Sequence, residues 1–183
     1  MNGKDLSAYL QPRVVERFLQ YVQVDTSADP DSGQHPSSPG QLELGARLAA
    51  ELRSLGLRDV EQDAYGYVYA VLPGRRSRSP MALTFCAHLD TSPSVSGANV
   101  RPIIHRRYDG GAIGFEDDPD LLLTPGDSPE LLKFKGDDII TAAGRTLLGA
   151  DDKAGIAIIM TMANYLFTYY SINYVTSGLV AVT

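Results

Sequence analysis

Two short apolar runs limit what this chain can fold into. "MALTFCA" (81–87) is a continuous apolar run bounded by turn signals, and "SGLVAVT" (177–183) reads as one more buried strand. Neither approaches the roughly 18 to 20 apolar residues that a membrane helix needs. Runs of this length read as strands buried on both faces, and such strands occur where helices cover a sheet. Helical spacing elsewhere supplies the cover. In "QPRVVERFLQYVQVD", Val14, Val15, Phe18, Leu19 and Val22 share one face, with Pro12 in the first turn. A second helix starts where Ser38 caps, Pro39 takes the first helical position and Gln41 completes a capping box. Its apolar face is Leu42, Ala46, Ala49 and Leu52, and Gly56 stops it. "YGYVYAVLPG" reads as a strand, and the "RRSRSP" after it as a loop or hairpin tip with solvated arginines. Residues 92–139 are rich in turn formers and carry no clear period. A third helix follows "GADDKAG", with Ile156, Ile159, Met160, Ala163 and Phe167 near one face. The order of elements predicts an α/β fold with a mixed central sheet sandwiched by helices, in one domain.

Composition narrows the function classes. The chain has 183 residues and a net charge of −6, which argues against nucleic-acid binding because no basic face is evident. Its single cysteine, Cys86, has no internal disulfide partner and fits a reducing compartment. The first residues lack the apolar core of a signal peptide. The expectation is a cytoplasmic protein with no membrane partner.

Chemistry gathers at two places. His88 and Asp90 stand just past the end of the "MALTFCA" strand, and ligands of open α/β sheets bind outside such strand ends. Residues two apart in an extended segment project to one side, so a carboxylate there can orient a metal-binding imidazole. The plainer reading is a strand-end histidine followed by a turn, since "DTSP" is a good turn sequence. Asp151 and Asp152 form the second place, at the start of the third helix. Carboxylates there cap free N–H groups, or one of them bridges two divalent ions. His35 and His105 read as surface or loop histidines, and Cys86 as a strand-interior residue without a nucleophile's context.

"AHLDTSP" and "TLLGADDKAGIA" together closely resemble the peptidase T family of tripeptide aminopeptidases, within the di-zinc aminopeptidase and carboxypeptidase superfamily. "VVERFLQYVQVDTSAD", "SSPGQLELGARLAAELRSLGL" and "DTSPSVSGANVRPII" resemble it too, in the same order. The resemblance implies a zinc-peptidase-like catalytic domain and release of the N-terminal residue of tripeptides through a water activated by two zinc ions. It implies His88 as a ligand of one zinc, Asp90 as the catalytic aspartate that orients His88, and Asp151 as the carboxylate bridging both metals. It implies a cis peptide bond between Asp151 and Asp152, and a homodimer for the full-length protein. The family's site also uses a Glu-Glu pair, a further carboxylate, a distant histidine and an inserted lid and dimerisation domain. After Asp151 the sole acid is Asp152, and no histidine follows His105. The chain therefore reads as residues 1–183 of the N-terminal part of the catalytic domain, inactive alone, with the last strand poorly covered. A dipeptidase or deacylase of the same superfamily, a non-catalytic fragment or pseudoenzyme, and an anion-binding domain using the helix at Lys153 are the competing readings.

Overall fold

The computed structural model describes residues 3–72, 83–170 and 178–182. Three helices, α1 (Gly3–Tyr21), α2 (Pro39–Ser54) and α3 (Ala150–Tyr170), accompany a four-stranded mixed sheet. Its strands are β1 (Arg58–Gln62), β2 (Val68–Leu72), β3 (Leu83–Ala87) and β8 (Gly178–Val182), in the order β1-β2-β8-β3. β8 runs antiparallel to β2 and parallel to β3. Between β3 and α3 the chain forms β4 (Pro102–His105), β5 (Ile113–Gly114), β6 (Leu122–Leu123) and β7 (Ile139–Ala142). β4 pairs with β7, and β5 with β6, as two small antiparallel ladders. These strands occupy the stretch in which periodicity alone gives no assignment.

One core joins the helices to the sheet. Phe18 of α1 and Val22 just after it, Leu44 and Leu48 of α2, Val68 and Ala70 of β2, and Ile156 and Met160 of α3 all belong to it. The face anticipated for α3 is the buried one, with Phe167 partly buried against the same core. For α2 the stripe is rotated: Gln41, Leu44, Gly45, Leu48, Ala49 and Leu52 are buried, while Leu42 and Ala46 are exposed. Leucines at intervals of four set this stripe; Leu42 and Ala46 fall outside it. Gly56 ends α2 at φ +87°, a left-handed conformation that glycine takes without a Cβ penalty.

Several local expectations give way to tertiary packing. α1 begins well before Pro12, which lies inside the helix at the cost of one backbone hydrogen bond. The capping box at Ser38 does not form: Ser38 makes no side-chain cap, and the Gln41 amide donates instead to Ser37 Oγ (3.1 Å) and the Thr26 carbonyl (3.4 Å). The 25–28 segment draws Gln41 away by crossing directly over α2, so close that a Cβ at Gly40 would stand 1.6 Å from the Asp25 carbonyl oxygen. β2 and β3 do not form a hairpin, because β8 lies between them; "RRSRSP" itself lies outside the described residues. Among the described residues β8 is thus paired on both sides rather than left at an edge, and β1 and β3 are the edge strands. β3 is also not buried on both faces: Leu83 is 55% and Phe85 39% exposed, Cys86 is exposed, and only Ala87 is buried. An edge strand has a neighbour on one side alone, and strand order is a long-range property that a short apolar run does not encode.

Candidate metal centre

His88 and Asp90 leave the carboxyl end of β3, as the strand-end argument requires. The extended segment after them is pinned by the 24–28 segment. Thr91 N–H donates to the Thr26 carbonyl (3.1 Å), Ala28 N–H donates to the Thr91 carbonyl (2.9 Å), and Ser27 bridges Thr91 in parallel. Asp151 arrives from the other direction, at the start of α3. The strand before it, β7, belongs to the small β4–β7 ladder rather than to the main sheet, so the two motifs do not sit at two junctions of one sheet. α3 itself packs on β3, and that packing brings the motifs together.

The peptide bond between Asp151 and Asp152 is cis, as the family resemblance implies. Both aspartates have non-helical backbone angles, and regular helix starts after them. Their side chains part company. Asp152 Oδ1 accepts a hydrogen bond from Gly155 N–H (3.1 Å), the contact of a helix N-cap. Asp151 caps nothing in α3. Its side chain is 95% exposed, and its Oδ1 lies 2.9 Å from His88 Nε2 across a gap of 63 positions. Of this pair, Asp152 caps α3 and Asp151 turns to His88.

Asp90 orients His88 chiefly through its main chain. The ring nitrogen Nδ1 lies 2.8 Å from the Asp90 carbonyl oxygen and 3.3 Å from its carboxylate. A carbonyl only accepts, so Nδ1 carries the proton and donates it. In the neutral ring Nε2 then presents a lone pair towards the Asp151 carboxylate, an acceptor facing an acceptor. The contact needs a proton or a cation between them. The titration of His88 follows this logic. Partial burial works against the charged ring, but the hydrogen bonds to Asp151 and the Asp90 carbonyl, with the two carboxylate charges, outweigh it and raise the pKa above the ordinary histidine value.

The donors match zinc chemistry, an imidazole nitrogen freed by its neighbour and a hard carboxylate oxygen. They fill two coordination positions. Among the described residues no group of three or more His, Cys, Asp or Glu side chains is placed to hold a metal ion. His88 and Asp151 therefore fit part of a zinc shell and do not complete one.

Other residues that shape the site carry little sequence signal. Lys153 is buried, and its ammonium donates to the Val24 carbonyl (2.7 Å), tying the first turn of α3 to the 24–28 segment. Burial pushes its pKa down to about 8, against the pull of Asp25. With its Nζ committed to Val24, Lys153 does not present an anion site. Gly149, at φ +75°, lets the chain pass so near that a Cβ would stand 3.3 Å from Thr91 Cγ2. His35, a loop residue as anticipated, borders a cavity of about 320 Å³ with Tyr65, Tyr67 and Gln41, and that cavity opens onto His88 and Asp90. His105 is a strand residue instead, bonded through Nε2 to Thr141 Oγ1 (2.9 Å), away from the site.

No family model matches the chain. By sequence it is 46% identical over 165 residues to "Peptidase T" of Geobacillus thermodenitrificans, a match covering 90% of this chain and 40% of that protein. It is 49% identical over 153 residues to "Peptidase T" of Clostridium acetobutylicum, covering 84% of this chain and 38% of that protein. The chain thus spans about 40% of the length of the curated relatives it matches. Among solved structures, aminopeptidase PepT from Bacillus cereus superimposes with a TM-score of 0.61 at 21% identity, over 94% of this chain and 36% of that one. Aminoacylhistidine dipeptidase from Vibrio alginolyticus gives 0.55 at 14% identity, over 97% and 28%. These likenesses place the fold with peptidase catalytic domains of the α/β class. By sequence, over nine-tenths of its length, the chain is homologous to peptidase T.

Proposed function

We propose that residues 1–183 form the N-terminal part of the catalytic domain of a metal-dependent aminopeptidase that releases the N-terminal residue from tripeptides. The observation that carries this reading is the His88–Asp151 contact of 2.9 Å, with the far side of the imidazole held by Asp90. His88 and Asp151 would hold metal, and Asp90 is the catalytic aspartate that positions His88. Zinc, two ions per complete active site, would polarise the scissile carbonyl and acidify a water. This chain's own residues fix the imidazole tautomer, keep the Nε2 lone pair available and hold Asp151 opposite it. The homology to peptidase T supports a peptide-cleaving enzyme; the tripeptide substrate, a cytoplasmic location and a homodimer of the full-length protein belong to the same proposal. A dipeptidase activity is the second reading, favoured by the likeness of the fold to aminoacylhistidine dipeptidase.

The test is zinc binding by the full-length protein carrying His88→Ala, Asp151→Ala or Asp90→Asn. The first two should each lose at least one zinc. Asp90→Asn should retain it, because the carbonyl that orients the ring survives the substitution. Unaltered zinc affinity in both His88→Ala and Asp151→Ala would refute the assignment.

A further inference from the structure

The cavity beside His88 and Asp90 has an aromatic end. The His35 ring stands between Tyr65 and Tyr67, with ring centroids 5.8 Å from each and interplanar angles of 42° and 43°. That spacing is within the range of favourable tilted aromatic pairs. The two tyrosines are held by the turn that joins β1 to β2. Asp63 Oδ1 accepts from Tyr65 N–H (2.9 Å) and from Tyr67 N–H (3.0 Å), and Gly66 between them takes φ +87°. The turn is thus built to present both rings on the cavity side, and Tyr65 remains 61% exposed.

We infer that the His35–Tyr65–Tyr67 end of this cavity is a specificity subsite that takes an aromatic or large aliphatic side chain of the peptide, that of its N-terminal residue. The inference rests on the peptidase reading. Size supports it: about 320 Å³ is at the lower end of ligand cavities, room for one residue rather than a long peptide. Position supports it too, because the same cavity is walled by His88 and Asp90, so a side chain lodged among the rings lies next to the reacting carbonyl. Among the described residues lining the cavity the one acid is Asp90, its carboxylate 3.3 Å from His88. An apolar side chain among the rings would bury ring faces that are now exposed.

The experiment is equilibrium binding of Phe-Gly-Gly and Ala-Gly-Gly to the 183-residue chain, followed by NMR with and without zinc. Phe-Gly-Gly should bind the more tightly and shift the Tyr65 and Tyr67 ring resonances. Tyr65→Ala and Tyr67→Ala should each lower the ratio of the two affinities by roughly two- to tenfold, the worth of one aromatic contact. Tyr65→Phe and Tyr67→Phe, which keep the ring, should preserve the ratio. Equal affinities in the unaltered chain, a ratio untouched by either alanine variant, or no binding of Phe-Gly-Gly at millimolar concentration would overturn the subsite. The peptidase reading fails separately: if the full-length protein supplied with zinc cleaves neither tripeptide, that reading is lost while the aromatic preference stands on its own measurement.

Discussion

The division of labour between Asp151 and Asp152 makes an unusual stability prediction at Gly155. A glycine inside a helix ordinarily costs about 1 kcal/mol relative to alanine. Here a Cβ on Gly155 would stand 2.2 Å from Asp152 Oδ1, the oxygen that accepts the Gly155 N–H bond. Gly155→Ala must therefore displace the cap while it gains propensity. Loss of an aspartate cap costs about 1 kcal/mol, within a range of about 0.5–2. The two terms are of similar size and opposite sign, so Gly155→Ala should leave stability nearly unchanged. Asp152→Ala alone should destabilise by about 1 kcal/mol, a fall of about 2–4 °C in the unfolding midpoint for a chain of this size. With the cap already absent, Gly155→Ala should stabilise by about 1 kcal/mol, giving a coupling of about that magnitude between two residues in contact. Asp151→Ala, next door but exposed and capping nothing, should leave the midpoint in place. Urea unfolding of the four cycle members and of Asp151→Ala measures all of this. Additive effects at Asp152 and Gly155, or an Asp151→Ala variant as unstable as Asp152→Ala, would refute the assignment of cap and site to separate carboxylates.

Glu51 ties α1 to α2 by accepting from Arg17 Nε (2.7 Å) and from the Tyr21 hydroxyl (2.6 Å). Glu51→Ala leaves the buried Tyr21 hydroxyl without its partner and should cost about 1–3 kcal/mol in urea unfolding. Burial first, then the Glu51 charge and hydrogen bond, raises the Tyr21 pKa well above its ordinary 10.0. A raised folded-state pKa favours the protonated phenol, so its contribution is complete below pH 10.0 and is lost as pH rises beyond it. The stability gap between the unaltered chain and Tyr21→Phe should therefore narrow from about pH 9 to about pH 11, read by unfolding at each pH. Lys153→Met keeps the apolar stem but leaves the Val24 carbonyl without its 2.7 Å donor. It should cost about 1–3 kcal/mol, measured in the same assay.

The site was partly legible because its chemistry is local in sequence. "HLD" after an apolar run, and "GADDKAG" before a helical period, name His88, Asp90 and Asp151 without any coordinates. Which of Asp151 and Asp152 caps was not legible, because that depends on backbone angles that both residues share with no simple helix. Tyr65, Tyr67 and His35 left no signal as a group. His35 is separated from the two tyrosines in the chain, and their common cavity exists only once the β1–β2 turn folds against the 35–37 loop. The role of Lys153 was not legible either, since nothing in a sequence marks a lysine whose ammonium finds a buried carbonyl 129 positions away.

By itself the sequence determined the class of the fold, the helices α2 and α3, and the strands β2, β3 and β8, since these follow from period, length and punctuation within windows of ten to twenty residues. The tertiary structure decided the strand order, the burial of each strand face and the rotation of α2. It placed β8 between β2 and β3, which left the apolar run of β3 as an exposed edge. It also drew Gln41 from its cap to the Thr26 carbonyl. Each of these outcomes depends on pairing between segments far apart in the chain. The free energy of such pairing comes from what the whole molecule buries, and no local window of residues carries it.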